Sequence, residues 1–141
     1  MENNKIDGCQ SDTELVEQLA TACLGLVWSS ESDFPWQVIC RSDTNSLDSR
    51  VLLQHYNYAP ETKIETTTLE SFLAPATQVQ KWHNESERNQ THRYQLLQKL
   101  LQENLSEVRV YLVGEVTIDV YILGIYCDRL VVGLSTKIVA T

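Results

Sequence analysis

The last third of the chain holds three runs rich in β-branched and aromatic residues, at 108–113, 116–125 and 130–139. Only Gly114-Glu115 and a few residues around Cys127-Asp128-Arg129 separate them. Connections that short cannot carry a parallel crossover, so the runs are expected to pair as antiparallel hairpins. In the middle run Val116, Ile118, Val120 and Ile122 share one face, and Thr117, Asp119, Tyr121 and Leu123 the other. Both faces carry large apolar groups, so both need cover.

The rest of the chain can supply that cover. Ser11-Asp12-Thr13-Glu14 has the form of a capping box. Behind it Leu15, Val16, Leu19, Cys23, Leu26 and Val27 recur at helical spacing, which predicts a helix ending near Val27. A second long helix is expected over 85–104, with Tyr94, Leu97 and Leu101 as its stripe, widened by Leu96 and Leu100. Residues 36–40 and 63–67 read as strands, 47–56 as a short helix, and 69–73 as one helical turn before Pro75. The expected fold is therefore α+β: a three-layer α/β/α sandwich around a mostly antiparallel sheet of about five strands. Residues 1–10 read as a flexible tail and 11–141 as a single domain.

A chain of 141 residues can bury a core without metal or disulfides. Its net charge of -8 argues against nucleic acid or an anionic membrane as a direct partner, and for a basic one. The charge is uneven: Glu2, Asp7, Asp12, Glu14, Glu17, Glu31 and Asp33 face only Lys5 in the first 34 residues. No apolar signal core or membrane-length run is visible. Cys9, Cys23, Cys40 and Cys127 lack metal-type spacing, so the thiols are expected to be free and the setting cytoplasmic.

Catalysis has little support. His55, His83 and His92 lie far apart in sequence, and no nucleophile-elbow or phosphate-binding pattern occurs. Asp119 reads either as a buried acid or as a strand-face carboxylate turned towards a loop or an arginine. The chain is expected not to be an enzyme.

Two polar stretches stand out instead. Ser29-Ser30-Glu31-Ser32-Asp33-Phe34-Pro35-Trp36 is an acidic loop between Trp28 and Trp36, in which small hydroxyl residues leave Glu31 uncovered. Pro35 drives Phe34 towards an extended conformation. Trp82 lies among Thr77, Gln78 and Gln80, where it is either a staple for the following helix or an interface anchor. The final run ends at Val139-Ala140-Thr141, which would hold a terminal carboxylate and hydroxyl against the sheet.

With these residues the chain resembles the nuclease A inhibitor family, whose members block sugar-non-specific endonucleases of the ββα-metal class. The resemblance covers about 15–141. It rests on Ser30-Glu31-Ser32-Asp33-Phe34-Pro35, and on Ala76-Thr77 followed by Gln80 and Trp82. It continues through Val110-Tyr111, Gly114-Glu115-Val116, Ile118-Asp119-Val120-Tyr121, Gly124 and Gly133-Leu134-Ser135-Thr136-Lys137 to Thr141. It implies that Glu31 enters the nuclease active site and binds the catalytic divalent metal, Mg²⁺ or a similar ion. Gln80, Trp82 and Thr141 would complete the contact in a 1:1 complex with a monomeric inhibitor. No cofactor of the chain's own is implied. Lys81 and Ala140 depart from the family pattern, which has an acid at each place. The alternative is a non-inhibitory interaction module that binds another basic partner through the same face.

Overall fold

The computed structural model describes residues 12–29, 33–41, 52–54, 56–78, 81–82, 84–127 and 130–139. Helix α1 (Asp12–Cys23) opens the fold, followed by the short strands β1 (Val27–Ser29) and β2 (Asp33–Pro35). Strands β3 (Gln37–Arg41) and β4 (Ile64–Thr67) precede helices α2 (Leu69–Thr77) and α3 (Glu85–Asn104). Strands β5 (Ser106–Val113), β6 (Thr117–Tyr126) and β7 (Leu130–Val139) complete it. β1 and β2 pair with each other, while the other five form one sheet in the order β3-β7-β6-β5-β4. Every pairing is antiparallel. The fold is α+β.

The two faces of the sheet bury different sets. Val110, Val120, Ile122, Val132 and Leu134 pack with Leu15 and Leu19 of α1, Leu73 of α2, and Tyr94, Leu97 and Leu101 of α3. On the opposite face Tyr111, Val113, Tyr121, Leu123 and Val131 pack with Leu52 and Leu53. Among the described residues, the cover on that second face comes from a helical segment at 52–54 and the following Tyr56 and Tyr58. The alternation expected for the middle strand holds, since Val120 and Ile122 belong to the first core and Tyr121 and Leu123 to the second.

Four expectations need correction. α1 stops at Cys23 rather than near Val27, because Gly25 takes a left-handed conformation (φ +80°) and turns the chain into β1. α1 has no basic residue in its last turn; Arg93 of α3 supplies the cation, donating to the carbonyl oxygens of Ala22 (3.0 Å) and Leu24. α2 continues through Pro75 to Thr77. Thr68 caps its start, accepting from the Ser71 amide at 3.1 Å, and buried Leu69 and Leu73 hold it down, which outweighs the hydrogen bond that proline removes. Val116 lies outside β6 and is exposed. Finally, Cys127 is disulfide-bonded, whereas Cys23 and Cys40 are thiols outside any disulfide. Sequence spacing carries no trace of a bond that only the fold makes, and the reduced setting expected from spacing alone does not follow.

Gly133 shows how tightly β6 and β7 meet. A Cβ built there would lie 1.7 Å from the Ile122 carbonyl oxygen, so only glycine fits.

Candidate functional site

β1 and β2 form a small hairpin in which Val27 faces Pro35, Trp28 faces Phe34 and Ser29 faces Asp33. Ser30, Glu31 and Ser32 are the residues between the two paired ends. Three-residue strands cannot stand alone in water; this pair leans on β7. The Thr136 hydroxyl donates to the Pro35 carbonyl oxygen at 2.8 Å and also lies 3.3 Å from the Phe34 carbonyl oxygen. Thr136 is itself buried, so its hydroxyl needs this partner. Immediately after the hairpin, the buried Trp36 donates its indole N–H to the Tyr94 hydroxyl at 2.9 Å and anchors the segment to α3. Burial pushes the Tyr94 hydroxyl up to about 12, although the Trp36 hydrogen bond works in the other direction.

Trp82 lies in the turn ahead of α3. Asn84 caps that helix: its side-chain oxygen accepts from the Glu87 amide at 2.8 Å, and the Glu87 carboxylate accepts from the Asn84 amide at 2.9 Å. The reciprocal pair fixes where the helix begins and so where the preceding residues leave it. Trp82 is 74% exposed, so most of its surface is open to solvent. Of the four residues implicated by sequence, Glu31, Gln80 and Thr141 lie outside the described residues. What the structure brings together is the frame: the hairpin that carries 30–32 is bonded to the strand that leads to the C-terminus.

Sequence reasoning did not find a cleft beside this hairpin, on the second face of the sheet. It measures about 490 Å³, and Phe34, Pro35, Gln37, Ile39, Tyr56, Asp119, Tyr121, Ser135, Thr136 and Lys137 line it. Strand register builds it: Asp119 stands opposite Lys137, and Tyr121 opposite Ser135, which in turn faces Gln37. The Tyr58 hydroxyl donates to the Asp119 carboxylate and lies 2.8 Å from the Tyr121 hydroxyl. A carboxylate only accepts, so the single Tyr58 proton goes to Asp119 and Tyr121 donates to Tyr58. Burial, followed by the hydrogen bonds to Asp119 and Tyr121, raises the Tyr58 hydroxyl far above the usual phenol range. The Tyr56 ring stacks on Tyr121 with centroids 4.6 Å apart. Lys137 Nζ stands 4.0 Å from the Asp119 carboxylate. Asp119 thus faces a loop residue and a lysine; of the two readings open from sequence, the strand-face carboxylate holds.

Among the described residues, no three acidic, histidine or cysteine side chains cluster as metal ligands. No helix of those residues is long and apolar enough to cross a membrane.

The family model described as "Nuclease A inhibitor-like protein" matches residues 13–141, nearly the whole chain. No curated protein matches the sequence.

Proposed function

The chain belongs to the nuclease A inhibitor-like family, and we propose that it inhibits a sugar-non-specific endonuclease of the ββα-metal class by placing Glu31 on the enzyme's catalytic metal. The observation that carries this reading is the hairpin. Its strands are paired up to Ser29 and Asp33 and bonded to β7 through Thr136, and the three residues that join them in sequence include Glu31.

A hard divalent ion in a nuclease keeps positions open for phosphate oxygens, and a carboxylate oxygen can take one of them. Such an enzyme surrounds its metal with basic groups that hold phosphates. The inhibitor's charge of -8, concentrated towards the N-terminal part of the chain, steers it to that site and mimics the anionic substrate. Trp82 buries apolar area around the metal bridge and excludes water, while Gln80 and the terminal Thr141 make polar contacts at its rim. The metal belongs to the nuclease, and the complex is 1:1. The chain carries out no chemistry of its own.

The test is an inhibition titration of such a nuclease with Mg²⁺, comparing the wild-type chain with Glu31→Ala. Stoichiometric inhibition that is lost in a folded mutant supports the reading. A folded wild-type chain that leaves the nuclease active overturns it.

A further inference from the structure

We infer that the cleft beside β2 is a socket for a guanidinium group, presented by an arginine side chain of the basic protein that this chain binds. The inference rests on the inhibitor reading only for the owner of that arginine.

The cleft, at about 490 Å³, is in the size range of ligand sites and has room for an arginine side chain. Its chemistry is that of an arginine site. Asp119 offers a carboxylate that Tyr58 holds in place by hydrogen bonding. Its cation, Lys137, sits at the outer limit of an ion pair, 4.0 Å away, on a side chain 54% exposed. A pair of that kind contributes little, and the lysine stem can swing into water. A guanidinium that replaces it offers two parallel N–H donors to one carboxylate, which an ammonium cannot. Phe34 and Tyr56 line the same cleft, and guanidinium planes stack on aromatic rings. Tyr56 is braced for that by its own stacking on Tyr121. Gln37 and Ser135 also line the cleft, and their side-chain oxygens are of the kind that accepts from the remaining N–H groups.

Other occupants fit less well. An anion would meet the Asp119 carboxylate, and a metal ion would find one carboxylate beside a lysine rather than a set of ligands. The position adds weight: Phe34 and Pro35 belong both to the cleft and to the hairpin that carries Glu31. A partner seated on the hairpin can therefore reach the socket with a side chain of its own.

The experiment follows backbone amides by NMR in the full-length labelled chain while N-acetyl-L-arginine amide is added, with N-acetyl-L-lysine amide as the control. Saturable shifts at Gln37, Asp119, Tyr121 and Lys137 are expected with arginine and much smaller ones with lysine. Asp119→Asn keeps an acceptor for Tyr58 but removes the charge, and is expected to weaken arginine binding about tenfold or more. Lys137→Gln removes the competing cation and is expected to tighten binding about two- to fivefold, which a purely structural role for Asp119 would not produce. Equal responses to arginine and lysine, or affinity unchanged in both variants, overturn the socket. A chain that inhibits no nuclease yet binds the arginine probe keeps the socket and removes only the nuclease as its partner. A chain that inhibits through Glu31 but ignores the probe keeps the function and loses the socket.

Discussion

The hydroxyl of Thr136 and the carbonyl of Pro35, 101 residues apart in sequence, are joined by a 2.8 Å hydrogen bond that ties the β1–β2 hairpin to the last strand. Pro35 has no N–H to pair, so this edge of the hairpin has carbonyls to offer and few donors. A buried threonine is the economical partner, since its methyl packs in the core while its hydroxyl reaches the backbone. The hairpin's hold on the sheet is expected to depend on that donor.

Thr136→Val tests this dependence, because it keeps the volume and removes the hydroxyl. It is expected to cost about 1 kcal/mol in a denaturant titration. Amide exchange in Val27–Ser29 and Asp33–Pro35 is expected to quicken selectively, and inhibition to weaken by more than the stability loss explains. Thr136→Ser, which restores the donor, is expected to recover inhibition. Unchanged exchange in the hairpin of the valine variant would show that β7 holds it by packing alone.

Arg93 carries a second long-range tie. Its guanidinium caps the end of α1 through the Ala22 and Leu24 carbonyls, next to the left-handed Gly25. A cation at a helix C-terminus also answers the helix dipole. Arg93→Met keeps much of the side-chain bulk and is expected to lower stability by about 1.5–3 kcal/mol, the range for hydrogen bonds from a charged donor. Chemical denaturation at low and high salt checks it. A loss under 0.5 kcal/mol would mean that Gly25 and the buried Leu26 terminate the helix without help.

How much of this was legible beforehand follows from the range of the forces involved. α3 was readable to its ends because an Asn84–Glu87 capping box and a long apolar stripe are local signals. β5, β6 and β7 were readable because alternation and short connections leave few alternatives. The β1–β2 hairpin was not: three-residue strands have no period, and nothing local marks positions 28 and 34 as paired. Pro35 marked the extended backbone but not its partner strand. The cleft was hidden for the same reason, because Tyr58 meets Asp119 across 61 residues and Lys137 meets it by strand register. Glu31 and Trp82 were singled out through composition and family resemblance, and for Trp82 the structure adds the exposure that a partner-facing side chain requires.

The buried thiol of Cys23 and the buried phenol of Tyr94, with the raised Tyr58 hydroxyl, tie the stability of the fold to alkaline pH. Burial pushes Cys23 up to about 11, with nearby Arg93 opposing it, and Tyr94 up to about 12. Both groups are neutral when protonated, so each has a folded pKa above its unfolded one. Their contribution is fully present below the unfolded values and is lost as pH rises through the folded ones. Stability is therefore expected to be flat towards these two groups at neutral pH and to fall from about pH 9 towards 12. Cys23→Ala should shallow that fall, in urea titrations taken across the alkaline range. In the same native protein, a thiol reagent at neutral pH should modify the exposed Cys40 far faster than the buried Cys23.

On the proposed function Trp82 belongs to the binding surface and not to the scaffold. A tryptophan 74% exposed contributes little to the fold, so Trp82→Ala is expected to change stability by no more than about 0.5 kcal/mol. The same side chain covers a large area in a complex, and exposed tryptophans at interfaces are frequent hot spots. Loss of about 2 kcal/mol or more of binding energy to the nuclease is expected, near a thirtyfold weaker complex. The contrast is Leu97→Ala: that side chain is fully buried between α3 and the sheet. It should cost about 2–5 kcal/mol of stability while leaving the affinity of the folded fraction intact. Calorimetric titration and thermal denaturation on both variants give the comparison. Should Trp82→Ala destabilise the fold as much as Leu97→Ala, the tryptophan belongs to the scaffold, and the partner's contact must be sought around the hairpin alone.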